Sequence, residues 1–291
     1  MRTDLTRVAT LLLALCVLHT ESVRASAVQA DHLRIELLSE SSALVPGSTH
    51  WLGVYLRHAP HWHTYWINPG DSGLPTRLDW QLPDGYAAGA IEWPAPSRFE
   101  VGGLYNFGYA NDILLPVALQ VPSSAAPDTS ANLSVTAKWL ICEEECIPGQ
   151  ADLQLQLPVA HESVPTASAA LFAQARAATP VATDWSGSAR LDQGRFDIRL
   201  SGAGLPPVDT LDVFAVQRRL LDNAPATLRR ERDGLRILVD RNDYFVSTPP
   251  ELELVLTSTM TNGAAAAWQV RVPFSADGSA DVRPDVAIPK P

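Results

Sequence analysis

Hydrophobic positions alternate with polar ones through much of the chain, the period-2 signature of half-buried strands rather than the 3.6-residue period of amphipathic helices. Leu33, Ile35 and Leu37 share one face of an opening strand, and Leu52, Val54 and Leu56 one face of the next. Further strands are predicted at Arg77–Leu82, Ile113–Val121, Leu133–Ile141 and Asp152–Val159. Turn chemistry at Pro83-Asp84-Gly85, Pro94-Ala95-Pro96 and Pro127-Asp128 separates them. Between the second and third strands, Pro60 to Pro75 reads as a long aromatic loop holding His61-Trp62-His63-Thr64-Tyr65-Trp66 and Asn68-Pro69-Gly70-Asp71-Ser72-Gly73. Six or seven short strands in about 130 residues predict an all-β, immunoglobulin-like sandwich.

The pattern then changes. Thr166 to Thr179 is alanine-rich, with Leu171, Phe172 and Ala175 at helical spacing and Pro165 and Pro180 as brackets, and reads as a short connecting helix. Strands resume at Phe196–Leu200, Leu211–Val216, Leu235–Val239, Leu252–Leu256 and Trp268–Val272, which predicts a second small β-sandwich-like domain without cysteine or histidine. Asp281 to Pro291 is a proline-rich tail expected to be flexible.

Composition narrows the options. A hydrophobic fraction of 46% lets each half bury its own core, and 19% charged residues argues against a disordered or coiled-coil chain. The formal charge of -10 leaves no basic stripe for phosphates, so nucleic-acid binding has no electrostatic footing. At the N-terminus, Arg2 and Arg7 precede an apolar run from Val8 to Leu18 and the small-residue triplet Ala25-Ser26-Ala27. That is the grammar of a cleaved signal peptide. The run is short for a membrane span, which disfavours an anchor helix, and Leu15 before Cys16 is bulky for a lipid-attachment box. The expected organisation is a signal peptide over 1–27, the first β domain over 28–160, a linker with a short helix over 161–180, the second β domain over 181–280 and the tail over 281–291.

Export gives the cysteines their meaning. Of three, Cys16 leaves with the leader, and Cys142 and Cys146 remain, separated by Glu143-Glu144-Glu145. Across a straight strand their Cα atoms would stand about 13 Å apart at ~3.3 Å per residue, whereas a disulfide needs roughly 4.4–6.8 Å. A three-residue hairpin loop between antiparallel strands resolves this by setting the two cysteines face to face. A bridge closing so small a loop constrains the unfolded chain far less than one closing a long loop, while its place at a loop tip leaves it open to a partner thiolate. The three glutamates disfavour a neighbouring thiolate. A pair whose reduced form gains no such stabilisation is reducing by disposition. An inert hairpin staple is the alternative reading. Zinc is poorly served, since only two ligands are local and His161 lies at the far end of a strand.

Three motifs occur in order: Tyr65-Trp66-Ile67-Asn68-Pro69-Gly70-Asp71-Ser72-Gly73, Asn106-Phe107-Gly108-Tyr109, and Trp139-Leu140-Ile141-Cys142-Glu143-Glu144-Glu145-Cys146-Ile147-Pro148. Together they make residues 32–160 resemble the N-terminal periplasmic domain of the thiol:disulfide interchange protein DsbD family, and more closely its ScsB-like members (suppressor of copper sensitivity protein B). The resemblance implies an immunoglobulin-fold domain whose cysteine pair takes electrons from a membrane-embedded reductase and passes them to thioredoxin-fold periplasmic proteins. It implies that Cys146 forms the mixed disulfide and Cys142 resolves it, and that an aromatic cap covers the pair, with Tyr105, Phe107 and Tyr109 as candidates. For those aromatics ordinary core packing is the competing reading. The cysteine spacing is that of ScsB-like chains and shorter than in DsbD. No transmembrane reductase or thioredoxin-like Cys-x-x-Cys segment is present, so either another polypeptide supplies the electrons or this is the soluble piece of a larger system.

His58, His61 and His63 form a local cluster, and two or three imidazoles could hold copper or zinc. Beyond the leader the chain keeps a single methionine, Met260, which removes a Met-rich copper site. Packing and hydrogen bonding is the plainer role for these histidines, and no cofactor is expected. The sequence therefore predicts a periplasmic thiol:disulfide oxidoreductase component acting through Cys142 and Cys146. Its competitors are a non-catalytic binding or chaperone-like β protein with a structural bridge, and a copper-handling protein.

Overall fold

The structure, a computed structural model, describes residues 24–25, 27–259 and 265–274. The leader core Val8–Leu18, Cys16, Met260 and the tail Asp281–Pro291 lie outside the described residues. The described chain is nearly all β, built as an immunoglobulin-like sandwich followed by a second, smaller one. One sheet of the first sandwich runs in the order β2 (Ala27–Ala30), β3 (Leu33–Ser39), β4 (Thr49–His58), β10 (Ile113–Gln120) and β7 (Ala87–Ile91). The facing sheet runs β1 (Arg24–Ala25), β12 (Cys146–Val159), β11 (Thr129–Cys142) and β6 (Arg77–Gln81). A small third sheet, β5 (Thr64–Gly70), β9 (Leu104–Tyr109) and β8 (Ser97–Val101), closes one end. All these pairings are antiparallel.

Alternation accounts for the core. Leu33, Ile35 and Leu37 of β3 and Leu52, Val54 and Leu56 of β4 are fully buried against Leu133, Val135 and Ala137 of β11 and Leu153, Leu155 and Leu157 of β12. Each such aliphatic side chain removed from water contributes roughly 1.5–3 kcal/mol. The helix α1 (Ala169–Ala178) lays Phe172 and Ala175 on Leu114 of β10, and Arg176 fastens it by an ion pair to Glu40. The second sandwich combines β13 (Val181–Ala182), β20 (Ala265–Pro273), β19 (Glu251–Thr259) and β16 (Leu211–Ala215) in one sheet with β14 (Ser186–Asp192), β15 (Arg195–Ser201), β18 (Gly234–Asp240) and β17 (Thr227–Glu231) in the other. Its core is a separate cluster around Phe196, Ile198, Ile237, Leu252, Leu254 and Val272. Phe214 and Val255 are exceptions, because they face outward into the core of the first sandwich.

The expected aromatic loop at Pro60–Pro75 is corrected: Thr64–Gly70 is a strand. Tyr65 and Trp66 are consecutive and both buried, at 1% and 2% exposure, so both faces of β5 are covered and the alternation that marks a surface strand is missing. Strands β7, β14 and β17 also escaped prediction, being rich in small, polar or glycine residues of low strand propensity, as did β8 and β9, although Phe99, Tyr105, Phe107 and Tyr109 favour strands.

Gly108 of β9 pairs with Tyr65 of β5, and a Cβ built on it would lie 1.9 Å from the carbonyl oxygen of Thr64. Backbone cannot yield as a flexible side chain would. Gly108→Ala is expected to destabilise the protein by about 1–3 kcal/mol, read as a lowered denaturant midpoint, and to weaken amide protection across the β5–β9 pair.

Candidate redox site

The β11–β12 ladder is the longest pairing in the chain, running in unbroken register from Thr129 opposite Val159 to Cys142 opposite Cys146. Glu143, Glu144 and Glu145 form the turn, closed by the Glu143 N–H donating to the Glu145 carbonyl at 3.2 Å, and all three side chains are exposed. Because the register ends on the cysteine pair, the two side chains are delivered face to face, and they form a disulfide with Cα atoms 4.2 Å apart. The two cysteines differ in exposure. Cys142 is 2% exposed, whereas Cys146 is exposed to solvent.

What buries Cys142 is the segment leading into β5. The His63 N–H donates to the Cys142 carbonyl at 2.9 Å and the Cys142 N–H to the His63 carbonyl at 3.0 Å. A doubly hydrogen-bonded antiparallel pair sets its two side chains beside each other on one face. Two residues on, Tyr65 returns to that face, and its hydroxyl lies 3.7 Å from the Cys146 sulfur. With the cysteines bonded, only the phenol can donate in that contact. The His63 ring meets Tyr65 edge-on at 5.2 Å and stacks on Phe99 of β8 at 5.2 Å. The disulfide therefore sits against an aromatic wall of His63, Tyr65 and Phe99.

The Asn68–Gly73 segment fixes that wall. Gly73, at φ +93°, lies under the Tyr65 ring, where a Cβ would come within 2.2 Å of it. Ser72 donates from both its N–H and its hydroxyl to the Asn106 side-chain oxygen, at 3.1 and 2.9 Å. Burial raises the Tyr65 phenol above its ordinary value, with a hydrogen bond to Ser72 acting against it. The phenol thus stays a proton donor at neutral pH.

The cap candidates have other partners. Phe107 packs edge-on against Phe214 of the second sandwich, Tyr109 is buried with its hydroxyl donating to the Pro94 carbonyl at 2.6 Å, and Tyr105 is held through its backbone by Asp71. His63, Tyr65 and Phe99 stand at the disulfide instead. The signal for two of them was present in the sequence, as the i, i+2 spacing of His63 and Tyr65, but it was legible only once Thr64–Gly70 is known to be a strand.

The histidines do not converge. His58 donates from Nδ1 to the Asn111 carbonyl at 2.9 Å, which leaves Nε2 to accept from the Thr64 hydroxyl at 2.9 Å. His61 is exposed at φ 73°, and His63 is buried with its Nε2 unpartnered. Among the described residues no group of three or more His, Cys, Asp or Glu side chains could hold a metal ion.

With this geometry in view, the first sandwich can be compared with known proteins. Residues 34–158 match the family model described as thiol:disulfide interchange protein DsbD, N-terminal. This segment is similar to the DsbD N-terminal family. The DsbD-type sandwich and the second one together resemble the N-terminal periplasmic domain of ScsB from Proteus mirabilis, at 19% identity and a TM-score of 0.61, covering 85% of this chain and 97% of that one. That likeness establishes a shared fold. The sporulation control protein Spo0M from Bacillus subtilis is similar at 10% identity over 84% of this chain and 91% of that one, with a TM-score of 0.23, too low to indicate a common fold. The search of curated proteins finds no match.

Burial holds His50 and His58 at a pKa of about 4, and lowers that of His63 as well. The ordinary value in an unfolded chain is about 6.5. Depressed folded values mean that the unfolded chain binds more protons, so this stability is present above about pH 6.5 and is lost as pH falls towards 4. Protonating His58 at Nε2 also removes the acceptor that Thr64 of β5 uses. The melting temperature of the oxidised protein is expected to fall between pH 6.5 and 4, and His58→Gln to show a shallower fall. An unchanged slope would contradict the assignment.

Proposed function

We propose that the Cys142–Cys146 pair is a thiol:disulfide exchange centre that passes electrons to thioredoxin-fold proteins of the periplasm. The observation that carries this reading is the contrast between the two cysteines at one hairpin tip, Cys146 exposed and Cys142 buried. A structural staple needs no such asymmetry, whereas exchange needs one sulfur to meet the partner and another held back to finish the reaction.

The chemistry follows in two displacements. In the reduced protein the Cys146 thiolate attacks one sulfur of the partner's disulfide; a mixed disulfide forms and the partner's second sulfur leaves as a thiolate. Cys142, after losing its proton, attacks the Cys146 sulfur; the Cys142–Cys146 bond forms, the mixed disulfide breaks, and the partner departs as a dithiol. Two electrons pass to the partner, and the protons released from the cysteines are taken up by its thiolates. The Tyr65 hydroxyl, 3.7 Å from the Cys146 sulfur, is placed to donate to negative charge developing there. A dithiol donor, in this reading a membrane-embedded reductase, restores the reduced pair by the same steps in reverse. Leu74 follows Gly73 and is 54% exposed, an apolar surface beside the Tyr65 ring on which a partner can rest. In this reading the exchange domain spans 28–160, the linker 161–180 and the second domain 181–280, behind a signal peptide over 1–27.

Reduced Cys142→Ser, mixed with a thioredoxin-fold protein whose second active-site cysteine is replaced by serine and whose remaining sulfur carries a thionitrobenzoate leaving group, is expected to accumulate a covalent 1:1 adduct through Cys146 that dithiothreitol cleaves, with release of thionitrobenzoate. Cys146→Ser is expected to form far less adduct, because its remaining sulfur is covered. Mass spectrometry of the non-reduced mixtures reads both. Absence of adduct from Cys142→Ser would refute exchange, and equal yields from the two variants would refute the assigned order.

A further inference from the structure

The small sheet β8–β9–β5 has two faces, and only one belongs to the disulfide. Consecutive residues of a strand point to opposite sides. On β8, Phe99 stacks on His63 beside Cys142, while the preceding Arg98 points away into the second sandwich. On β5, Tyr65 reaches the Cys146 sulfur, while Trp66 packs edge-on against Phe214 at 6.2 Å.

Arg98 is the centre of the contact on that far face. Its side chain is 9% exposed, and it grips Asp212 with two nitrogens, Nη2 at 2.6 Å and Nε at 3.1 Å. It also donates to the Val213 carbonyl at 2.9 Å and to the Asn223 carbonyl. The guanidinium lies 4.8 Å from the Phe107 ring centre and 5.0 Å from that of Phe214, so aromatic faces from both sandwiches enclose it. Two polar contacts flank the cation: Asn68 donates to the Ala215 carbonyl at 2.8 Å, and Asn223 donates to Asp71 at 2.7 Å. Asp71 in turn holds the Tyr105 N–H of β9.

We infer that the second sandwich serves the redox site, with Arg98 as a positioning residue through which strand β16 holds the wall of Phe99, His63 and Tyr65 against the cysteines. The physical need is plain. A three-stranded sheet of five to seven residues per strand, with a register shift between Tyr65 and Gly70, has little independent stability. Left to itself it would open locally and uncover Cys142. Four consecutive residues of β16, Asp212 to Ala215, each contact this sheet, and Phe214 completes the first core. The second sandwich thereby keeps the resolving cysteine covered until a partner displaces the wall. The inference rests on the exchange reading for its purpose, but the shielding can be measured without any partner.

The test uses the full chain, reduced and pulse-labelled with iodoacetamide under conditions where circular dichroism shows it folded, with the label on each cysteine quantified by peptide mass spectrometry. In the wild type Cys146 labels first. In Arg98→Gln, Cys142 labelling is expected to rise about tenfold while Cys146 changes little, with faster amide exchange over 97–109, as local opening requires. Asp212→Asn, made on the opposite side of the contact, is expected to shift the same ratio in the same direction, and it carries the test if Arg98→Gln does not fold. Faster amide exchange over 211–223 with the Cys142 to Cys146 ratio unchanged would overturn the inference, as would no change in amide exchange at all. If the ratio shifts as expected yet Cys142→Ser traps no partner, the clamp stands and the exchange reading falls.

Discussion

The register of one hairpin sets everything else. Fourteen residues of β11 pair with fourteen of β12, and slipping that ladder by one residue would turn Leu133, Val135, Leu153 and Leu155 out of the core. The hydrophobic pattern forbids such a slip, so the last rung must bring Cys142 opposite Cys146. The bridge needs no loop of its own to aim the sulfurs. The core aims them, from a ladder whose far end lies at Val159.

A sulfur pair at a hairpin tip would be exposed on both sides, and here it is exposed on one. The backbone exchange between His63 and Cys142 makes β5 a neighbour of the tip, and the alternation of β5 then brings Tyr65 to Cys146 and hides Cys142 behind His63. Around the open side stand Glu143, Glu144 and Glu145. Negative charge beside a thiol disfavours its thiolate, which in the proposed reading makes the dithiol an electron donor.

The hairpin was legible in the sequence because its physics is local. Alternation from Leu133 to Ile141 and from Asp152 to Val159, with three residues between two cysteines, fixes pairing, face and turn together. The connecting helix was legible for the same reason, its proline brackets and the spacing of Phe172 and Ala175 being short-range signals. The aromatic wall was not, since a strand buried on both faces carries no alternation and Trp62 to Trp66 reads as a loop. Phe107 packs on Phe214, more than a hundred residues away. Contacts of that range, like the grip of Arg98 on Asp212, leave no periodic trace along the chain.

The central claim is that this bridge is made to open and close on an otherwise unchanged fold. Equilibrating the intact protein in buffers of reduced and oxidised glutathione, and reading thiol content alongside the circular dichroism spectrum, measures this directly. The account predicts a reversible two-electron transition between dithiol and disulfide, with the same β spectrum at both ends. A bridge that resists excess reductant while the protein is folded, or one whose reduction abolishes the β spectrum, would make it a structural staple and contradict the account.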